Sequence, residues 1–586
     1  MSRFAVWAPH ATRVEVRTCG RQQPLERSDD GWHALDDQRA VAGDDYSFVL
    51  DGGAPLPDPR SAWQPHGVHG PSRLVDHAAF SWSDGGWHGG ALHDTVVYEM
   101  HCGTFSRAGT FDGAIEHIGH LVDLGVGAVE VMPVAAFPGA RGWGYDGVAL
   151  YAVHDAYGGP DALKRFVDAC HRAGRAVIID VVYNHLGPDG NVLAEFGPYF
   201  TDRYRTPWGD AINYDGPGSD EVRRFAIDNA LMWLRDYHVD GLRLDAVHAI
   251  VDTSAVHILE EIAGAVHGLA EEVGREPWVI AESDLNDPRV VADPRLGGFG
   301  CDAQWSDDFH HALHATLAGE TAGYYADFGA VADVAAALEQ VFVYAGRHSR
   351  FRGRRHGREV GDLPSTRFLG YMQNHDQVGN RARGERSAAL MSTGRLLIAA
   401  TLVLLGPFVP LLFMGEEWAA STPFLYFTDH EDADLGRAVS EGRRHEFASF
   451  GWDPDDVPDP QDAVNFERSG LDWTEAGDGR QAAVLRWHRD LLALRAAIPA
   501  LRDGDRAAMV VEHEEASRTL VVRRAGLTVA CNWGDAAVTI PLIDGEVPCL
   551  LSDGAVAGGG TVQLEPDSVA VLVARDLVSA RGVPKP

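Results

Sequence analysis

The sequence predicts an α/β fold: a (β/α)₈ TIM barrel flanked by an N-terminal β-sandwich and a C-terminal antiparallel β domain. Three observations predict it. Both ends of the chain read as short alternating strands broken by turns. The middle alternates apolar runs with amphipathic stretches, eight times over. Those runs are apolar throughout, as strands buried on both faces by crossover helices must be.

Residues 1–90 carry FAVWAP, RVEVRT and GDDYSFVL, then the turn-rich DGGAPLPDPRS, and predict a small sandwich. Residues 503–586 repeat that texture in MVVEHEE, RTLVVRRA, LTVACNW, AVTIPL and SVAVLVAR. Between them, 91–502, strands are predicted at 95–105, 128–134, 176–185, 241–247, 278–284, 302–309, 367–376 and 409–418. Helical patterns follow 160, 218 and 253, the last with Ser254 as its N-cap, and RQAAVLRWHRDLLALRAAI closes the set. Long insertions are predicted at 186–218 and 419–479. A doubly wound sheet would alternate in the same way, but no GxGxxG or GxxxxGK[ST] follows the early strands.

The formal charge of −35, from 85 acidic and 50 basic residues, excludes nucleic acid and anionic membrane surfaces as partners. Six cysteines at 19, 102, 170, 301, 531 and 549 have no CxxC spacing, which predicts buried thiols in a reducing, cytoplasmic compartment. The N-terminal MSRFAVWAPHATRVEV has no signal-peptide core. The apolar run 396–414 is broken by Gly406, Pro407 and Pro410, so it predicts a buried helix followed by a buried strand, not a membrane span.

Polar residues gather where the apolar runs end. The third strand closes as DVVYNH, the fourth as RLDAVH, the fifth as AESD and the seventh opens into MQNHDQVGNRARGER. In a closed barrel these C-terminal ends meet on one face. Asp245, Glu282 and Asp376 therefore converge, with His185, Arg243, His248 and His375 beside them. Retaining glycosidic cleavage needs one carboxylate to attack the anomeric carbon and one carboxylic acid to protonate the leaving oxygen. Arg243, two residues before Asp245, shares its side of the strand and keeps it ionised. Glu282 has to keep its proton, which calls for an apolar or like-charged surrounding. Trp143 and Tyr145, in the loop 140–159, offer flat faces for a sugar. A single carboxylate at a strand end is usually a helix cap or ion-pair partner. Four such ends bearing carboxylate with Arg or His favour a site. No HxH or HExxH occurs among 27 histidines, which speaks against a metallohydrolase.

DVVYNH, GLRLDAVH, VIAESD and MQNHDQ resemble, in order, the four signature regions of the α-amylase superfamily of glycoside hydrolases. The resemblance implies Asp245 as nucleophile, Glu282 as general acid/base and Asp376 as transition-state stabiliser. It also implies that Arg243, His185 and His375 contact the sugar, with Tyr145 stacking and Asp146 nearby. More narrowly, 55–76, 281–290, 304–314, 372–386 and GRRHEFASFGW (442–452) resemble the maltooligosyltrehalose trehalohydrolase family over nearly the whole chain. That likeness implies hydrolysis of the α-1,4 bond beside the terminal trehalose of maltooligosyl trehalose, after a maltooligosyl trehalose synthase has acted. It places Asp307, Asp308, His310 and His311 on the trehalose side, and Gln377, Asn380 and Arg381 around Asp376. Where the typical α-amylase has Lys-His after the nucleophile, this chain has His248-Ala249, a departure that argues against plain starch hydrolysis. Only Asn184 matches the usual amylase calcium site, so no metal or cofactor is expected. The rivals are a glycogen branching or debranching enzyme and a catalytically inactive glucan-binding protein.

Overall fold

The computed structural model describes residues 3–448 and 457–579. Eight parallel strands close into a barrel: Val97–Met100, Ala128–Val131, Ala176–Val181, Gly241–Leu244, Trp278–Ala281, Ala303–Trp305, Phe368–Gly370 and Val409–Phe413. Each lies within the apolar run that predicted it. All are shorter, because the polar residues at their C-terminal ends leave the hydrogen-bonded ladder to face the mouth. The run 302–309 shows this best. Its strand stops at Trp305, and a helix, Asp307–Ala318, begins at once.

The barrel interior follows the two-residue alternation of a strand. Val97, Ala128, Ile178, Ile280, Trp305, Leu369 and Leu411 pack together inside it. The same alternation turns Glu99, Glu130, Asp180 and Arg243 inward from neighbouring strands, with Glu99 level with Glu130 and Asp180 level with Arg243. An apolar floor thus carries a layer of buried charge.

The predicted helices after 160 and 218 form as Gly159–Arg172 and Ser219–Asp236. The one after 253 starts later, at Ile258, capped by the His257 ring, which accepts from Leu259 N–H. Ser254 is not its cap. Asp252 accepts from the N–H groups of both Ser254 and Ile258 and thereby holds 252–257 as a loop. The run 396–414 is a helix, Thr393–Leu404, then the eighth strand. No described helix is long and apolar enough to cross a membrane.

Two antiparallel sheets precede the barrel, with strand orders that bring Phe4–Trp7 beside Trp32–Leu35 and Val14–Thr18 beside Asp45–Leu50. After the barrel, Val510–Glu514, Thr519–Arg524, Leu527–Asn532, Ser568–Ala574 and Glu546–Leu551 form one antiparallel sheet. A second joins Val538–Pro541, Thr561–Leu564 and Ala555–Gly558. The insertion after the third strand holds a hairpin, Phe200–Thr206 with Gly209–Ile212, braced on the N-terminal sheets by Trp7 against Tyr199 and Phe48 against Phe196. The later insertion holds the helices Ala433–Ala448 and Ala463–Ser469, and the end of the 442–452 motif, from 449, lies outside the described residues.

At the N-terminal end of the barrel a charged clamp fixes the segment leading into the first strand. His171 bonds Asp84 through Nδ1 and Asp240 through Nε2, each at 2.9 Å. His238 also meets Asp84, and Trp87 Nε1 donates to Asp240 at 2.7 Å. Burial pulls the His171 pKa down, but the hydrogen bonds to Asp240 and Asp84 outweigh it and leave the value above 6.5. A His with a raised folded-state pKa stabilises fully below its unfolded value and loses that contribution as pH rises through the folded one. His171→Asn is therefore expected to cost about 3 kcal/mol at pH 6. Its deficit relative to the parent should narrow above neutrality in urea titrations. An unchanged gap across that range would contradict the clamp.

Candidate active site

Arg243 organises the C-terminal mouth. Its side chain is fully buried, and Nη1 donates to Asp180 Oδ2 at 2.7 Å and to Asp245 Oδ1 at 2.8 Å. Its Nη2 lies 3.6 Å from Glu282 Oε2. The guanidinium sits 4.3 Å from the Trp305 ring centroid, so an aromatic face backs the charge. One cation thus links carboxyl groups from the third, fourth and fifth strands.

Asp245 is held at its other oxygen by Asn184, whose Nδ2 donates to Oδ2 at 2.7 Å and to the Asp245 carbonyl at 2.8 Å. His185 bonds the Asn184 side chain through Nδ1, and its ring stacks at 4.3 Å on Trp208, a half-exposed residue at the hairpin tip. Ala246 takes a left-handed conformation, φ 39°. This is uncommon for a residue with a Cβ, and it aims the Ala246 N–H at Glu282 Oε2, 2.5 Å away.

Glu282 favours its neutral form. Burial pushes its pKa well above 4.5, Arg243 opposes this, and the negative charges of Asp245, Asp307 and Asp376 push further up. Asp307, bonded to Tyr371, is pushed up to about 7, mainly by burial, with Asp284 and Asp376 adding to it. Asp180 rises to about 6 through burial, partly offset by Arg243.

The segment after the seventh strand forms a short helix, His375–Gly379, with a reciprocal cap: Asn374 Oδ1 accepts from Asp376 and Gln377 N–H, while Gln377 Oε1 accepts from Asn374 N–H. The cap presents Asp376, the more exposed acid, to the cleft. Asn380 Nδ2 donates to Asp376 Oδ1 at 3.1 Å, and Arg443 holds Asn380 Oδ1. His375 Nε2 lies 2.8 Å from Tyr145 OH, whose ring stacks on it.

A cleft of about 200 Å³ opens here, lined by Glu282, Asp307, His311, Asp376, Gln377 and Asn380 from the expected set. Asp284, Trp305, Tyr324, Phe351, Arg352 and Asn374 complete it. Sequence reasoning missed these six. AESD and QNHD contained Asp284 and Asn374, and Trp305 ends the sixth strand inside the 304–314 motif, but Tyr324, Phe351 and Arg352 arrive on segments without a motif.

Some expected contacts fall elsewhere. Asp308 is buried on Asn286 Nδ2 and Tyr344 N–H, and His310 on the Met372 carbonyl and Tyr325 OH. They lie on the other faces of the helix on which Asp307 and His311, four residues apart, share the cleft side. Trp143 is a wall and offers no sugar platform: it stacks on Phe424 and donates to the Leu425 carbonyl. Arg381 pairs with Glu320 at 2.7 and 2.9 Å, bracing the loop from behind. Asp146 faces His430 at 3.8 Å, and His248 lies 3.9 Å from Asp284. Among the described residues no group of three or more His, Cys, Asp or Glu has metal-holding geometry.

A parallel closed barrel with acids and an arginine gathered at its C-terminal mouth defines a hydrolase scaffold of the α-amylase kind. The model of the Alpha amylase catalytic domain matches residues 78–205, and a domain of unknown function matches 504–571. The malto-oligosyltrehalose trehalohydrolase of Arthrobacter ramosus is 50% identical over 576 residues, spanning 97% of this chain and 99% of that one. The protein of the same name from Mycobacterium tuberculosis is 48% identical over 98% of this chain and 100% of its own. A solved structure from Salmonella typhimurium, described provisionally as an alpha amylase, is 40% identical with a TM-score of 0.89, covering 97% of each chain. The chain belongs to the malto-oligosyltrehalose trehalohydrolase family.

The protonation pattern can be measured directly. At pH 7 a Glu282→Gln-minus-parent infrared difference spectrum should show loss of a protonated carboxyl C=O band. Loss of ionised-carboxylate bands instead would contradict the raised pKa.

Proposed function

We propose that the protein is a retaining glycoside hydrolase that cleaves the α-1,4 glucosidic bond next to the terminal trehalose of maltooligosyl trehalose, releasing trehalose and a maltooligosaccharide. The observation that carries this is the arrangement around Arg243, in which one acid is tied by donors at both oxygens and a second is buried against negative charge.

Glu282 protonates the glycosidic oxygen. Its Oε2 is occupied by the Ala246 N–H, so the proton sits on Oε1. As the C–O bond breaks, Asp245 Oδ attacks the anomeric carbon and forms a glycosyl ester. The Glu282 carboxylate then takes a proton from water, whose oxygen displaces Asp245 and restores the α configuration. Asp376 hydrogen-bonds the sugar hydroxyls as oxocarbenium character develops, and Tyr145, His185 and His375 position that ring. The two glucose units of trehalose occupy the side lined by Asp284, Asp307, His311, Tyr324, Phe351 and Arg352. Carboxylates, a guanidinium and two aromatic rings suit a neutral polyhydroxyl ligand there.

The chain divides in this reading into 1–90 (a carbohydrate-binding, Ig-like sandwich), 91–502 (catalysis) and 503–586 (an accessory β domain). The enzyme works in the cytoplasm, after a maltooligosyl trehalose synthase. Five of the six cysteines are buried, which supports the compartment.

Incubation with maltooligosyl trehalose should release trehalose, and NMR of the first-formed reducing sugar should show the α anomer. New α-1,6 linkages, or cleavage of branched glucan alone, would instead identify a branching or debranching enzyme. Binding without turnover would identify an inactive glucan-binding protein. Glu282→Gln is expected to lower kcat by at least ~10³-fold while sparing oligosaccharide binding. In the parent, kcat should fall as pH rises through the raised Glu282 pKa, because the deprotonated acid cannot assist departure.

A further inference from the structure

One residue beneath the cleft, the ion-pair partner of His375, has no role in that scheme. Glu99, on the first barrel strand, and His375 are each only 1% exposed. The Glu99 carboxylate grips His375 twice: Oε2 accepts its backbone N–H at 2.9 Å, and Oε1 meets ring Nδ1 in a short contact. On the other side, Nε2 meets Tyr145 OH at 2.8 Å.

The hydrogen bonds along this chain fix the charge on the ring. Asp180 Oδ2 receives Arg243 Nη1 at 2.7 Å and Tyr145 OH at 2.6 Å, so that oxygen is an acceptor with no room for a proton of its own. The single Tyr145 hydroxyl proton is therefore spent on Asp180, and Tyr145 can only accept from His375. Nε2 must carry hydrogen. Nδ1, facing a carboxylate oxygen, must carry one as well.

We propose that Glu99 is the positioning residue that holds His375 as a doubly protonated imidazolium, locking Nε2–H onto Tyr145 and placing a fixed positive charge beside Asp376. The inference rests on the glycosidase reading above and adds a residue to it.

Charged and aromatic groups surround the ring, among them Trp143, edge-on at 5.5 Å. The first strand contributes Glu99, and His101 follows it; the second contributes Glu130, level with Glu99. Tyr145 comes from the loop after the second strand, Asp180 from the third and Arg243 from the fourth. Trp305, whose ring lies 6.2 Å away, comes from the sixth, and Asp376 lies on the same turn, 3.6 Å from Nε2. Glu130 has no hydrogen-bond partner, and burial, reinforced by the Glu99 charge, pushes its pKa well above 4.5. Glu130 therefore favours its neutral form. Burial alone would discharge His375, yet Glu99, helped by Asp376, raises its pKa to about 9. The imidazolium then does two things at once. It orients the Tyr145 ring, and it sets positive charge 3.6 Å from the Asp376 carboxyl, which faces the sugar.

The test is E99Q. A glutamine amide oxygen still accepts the His375 backbone N–H, and its NH₂ donates to Nδ1, so packing is kept while the ring loses its second proton. In the parent, ¹⁵N NMR of His375 at pH 7 should show both ring nitrogens protonated. In E99Q, Nδ1 should be bare at pH 7.5 and take up its proton only at lower pH, because burial now opposes the charge. On maltooligosyl trehalose, E99Q kcat should fall about 10- to 100-fold at pH 7.5 with KM within about threefold. Part of the loss should return as pH falls toward 5.5, which a merely structural defect would not produce. A singly protonated ring in the parent, an E99Q kcat within threefold of the parent, or a loss equal at every pH would overturn the proposal. If the parent releases no trehalose, the substrate reading fails, while the ring-nitrogen spectra still decide the role of Glu99. If E99Q does not fold, the parent spectrum decides alone.

Discussion

The mouth of the barrel depends on a single buried guanidinium. Arg243 sits level with Asp180 across one strand pairing and with Ile280 across the other, so register fixes its height. Isolating one charge at that depth would cost several kcal/mol, and mutual attraction repays such a cost only when the geometry is near ideal. Here Asp180 and Asp245 share Nη1, Glu282 stands near Nη2, and Trp305 covers the planar face. Exchanging this fork for a lysine would leave a point charge unable to serve several acids in fixed directions. The surrounding carboxyl groups take their separate characters from their positions around it.

Those characters diverge although the side chains of Asp245 and Glu282 are almost equally buried, 12% and 13% exposed. Partners make the difference. Asp245 receives hydrogens at both oxygens, from Arg243 and Asn184. Glu282 receives one at Oε2, and burial together with the charges of Asp245, Asp307 and Asp376 outweighs Arg243 3.6 Å away, so its neutral form is preferred. A left-handed alanine between the two is part of the arrangement. Its strained backbone directs an N–H that a relaxed strand would spend on its neighbour.

Much of this was legible in the chain. Eight apolar runs gave eight strands in the expected cyclic order, and the acids at their ends lie around one mouth because parallel strands must end on one side. The errors have a common cause, which is that helices decide orientation in ways a motif does not display. Reading 302–309 as one strand hid the helix start at Asp307, and with it the rule that 307 and 311 face together while 308 and 310 do not. Ser254 looked like a cap because its chemistry suits one, but Asp252 captured the backbone first. Glu99 escaped notice because a carboxylate inside an apolar run looks like an anomaly until its partner, 276 residues away, is in view. Tyr324, Phe351 and Arg352 reach the cleft from irregular segments, where no periodicity predicts direction.

The hairpin that carries Trp208 is seated on the N-terminal sheets by Trp7 and Phe48, and the far end of that seat touches the ring of His185. The leading module is thus mechanically continuous with one bank of the groove. Loosening it would leave the eight-stranded frame intact and let that bank drift. Damage to a remote, seemingly dispensable segment would then surface as poor fidelity in how a sugar chain is gripped, well before any loss of cooperativity in melting.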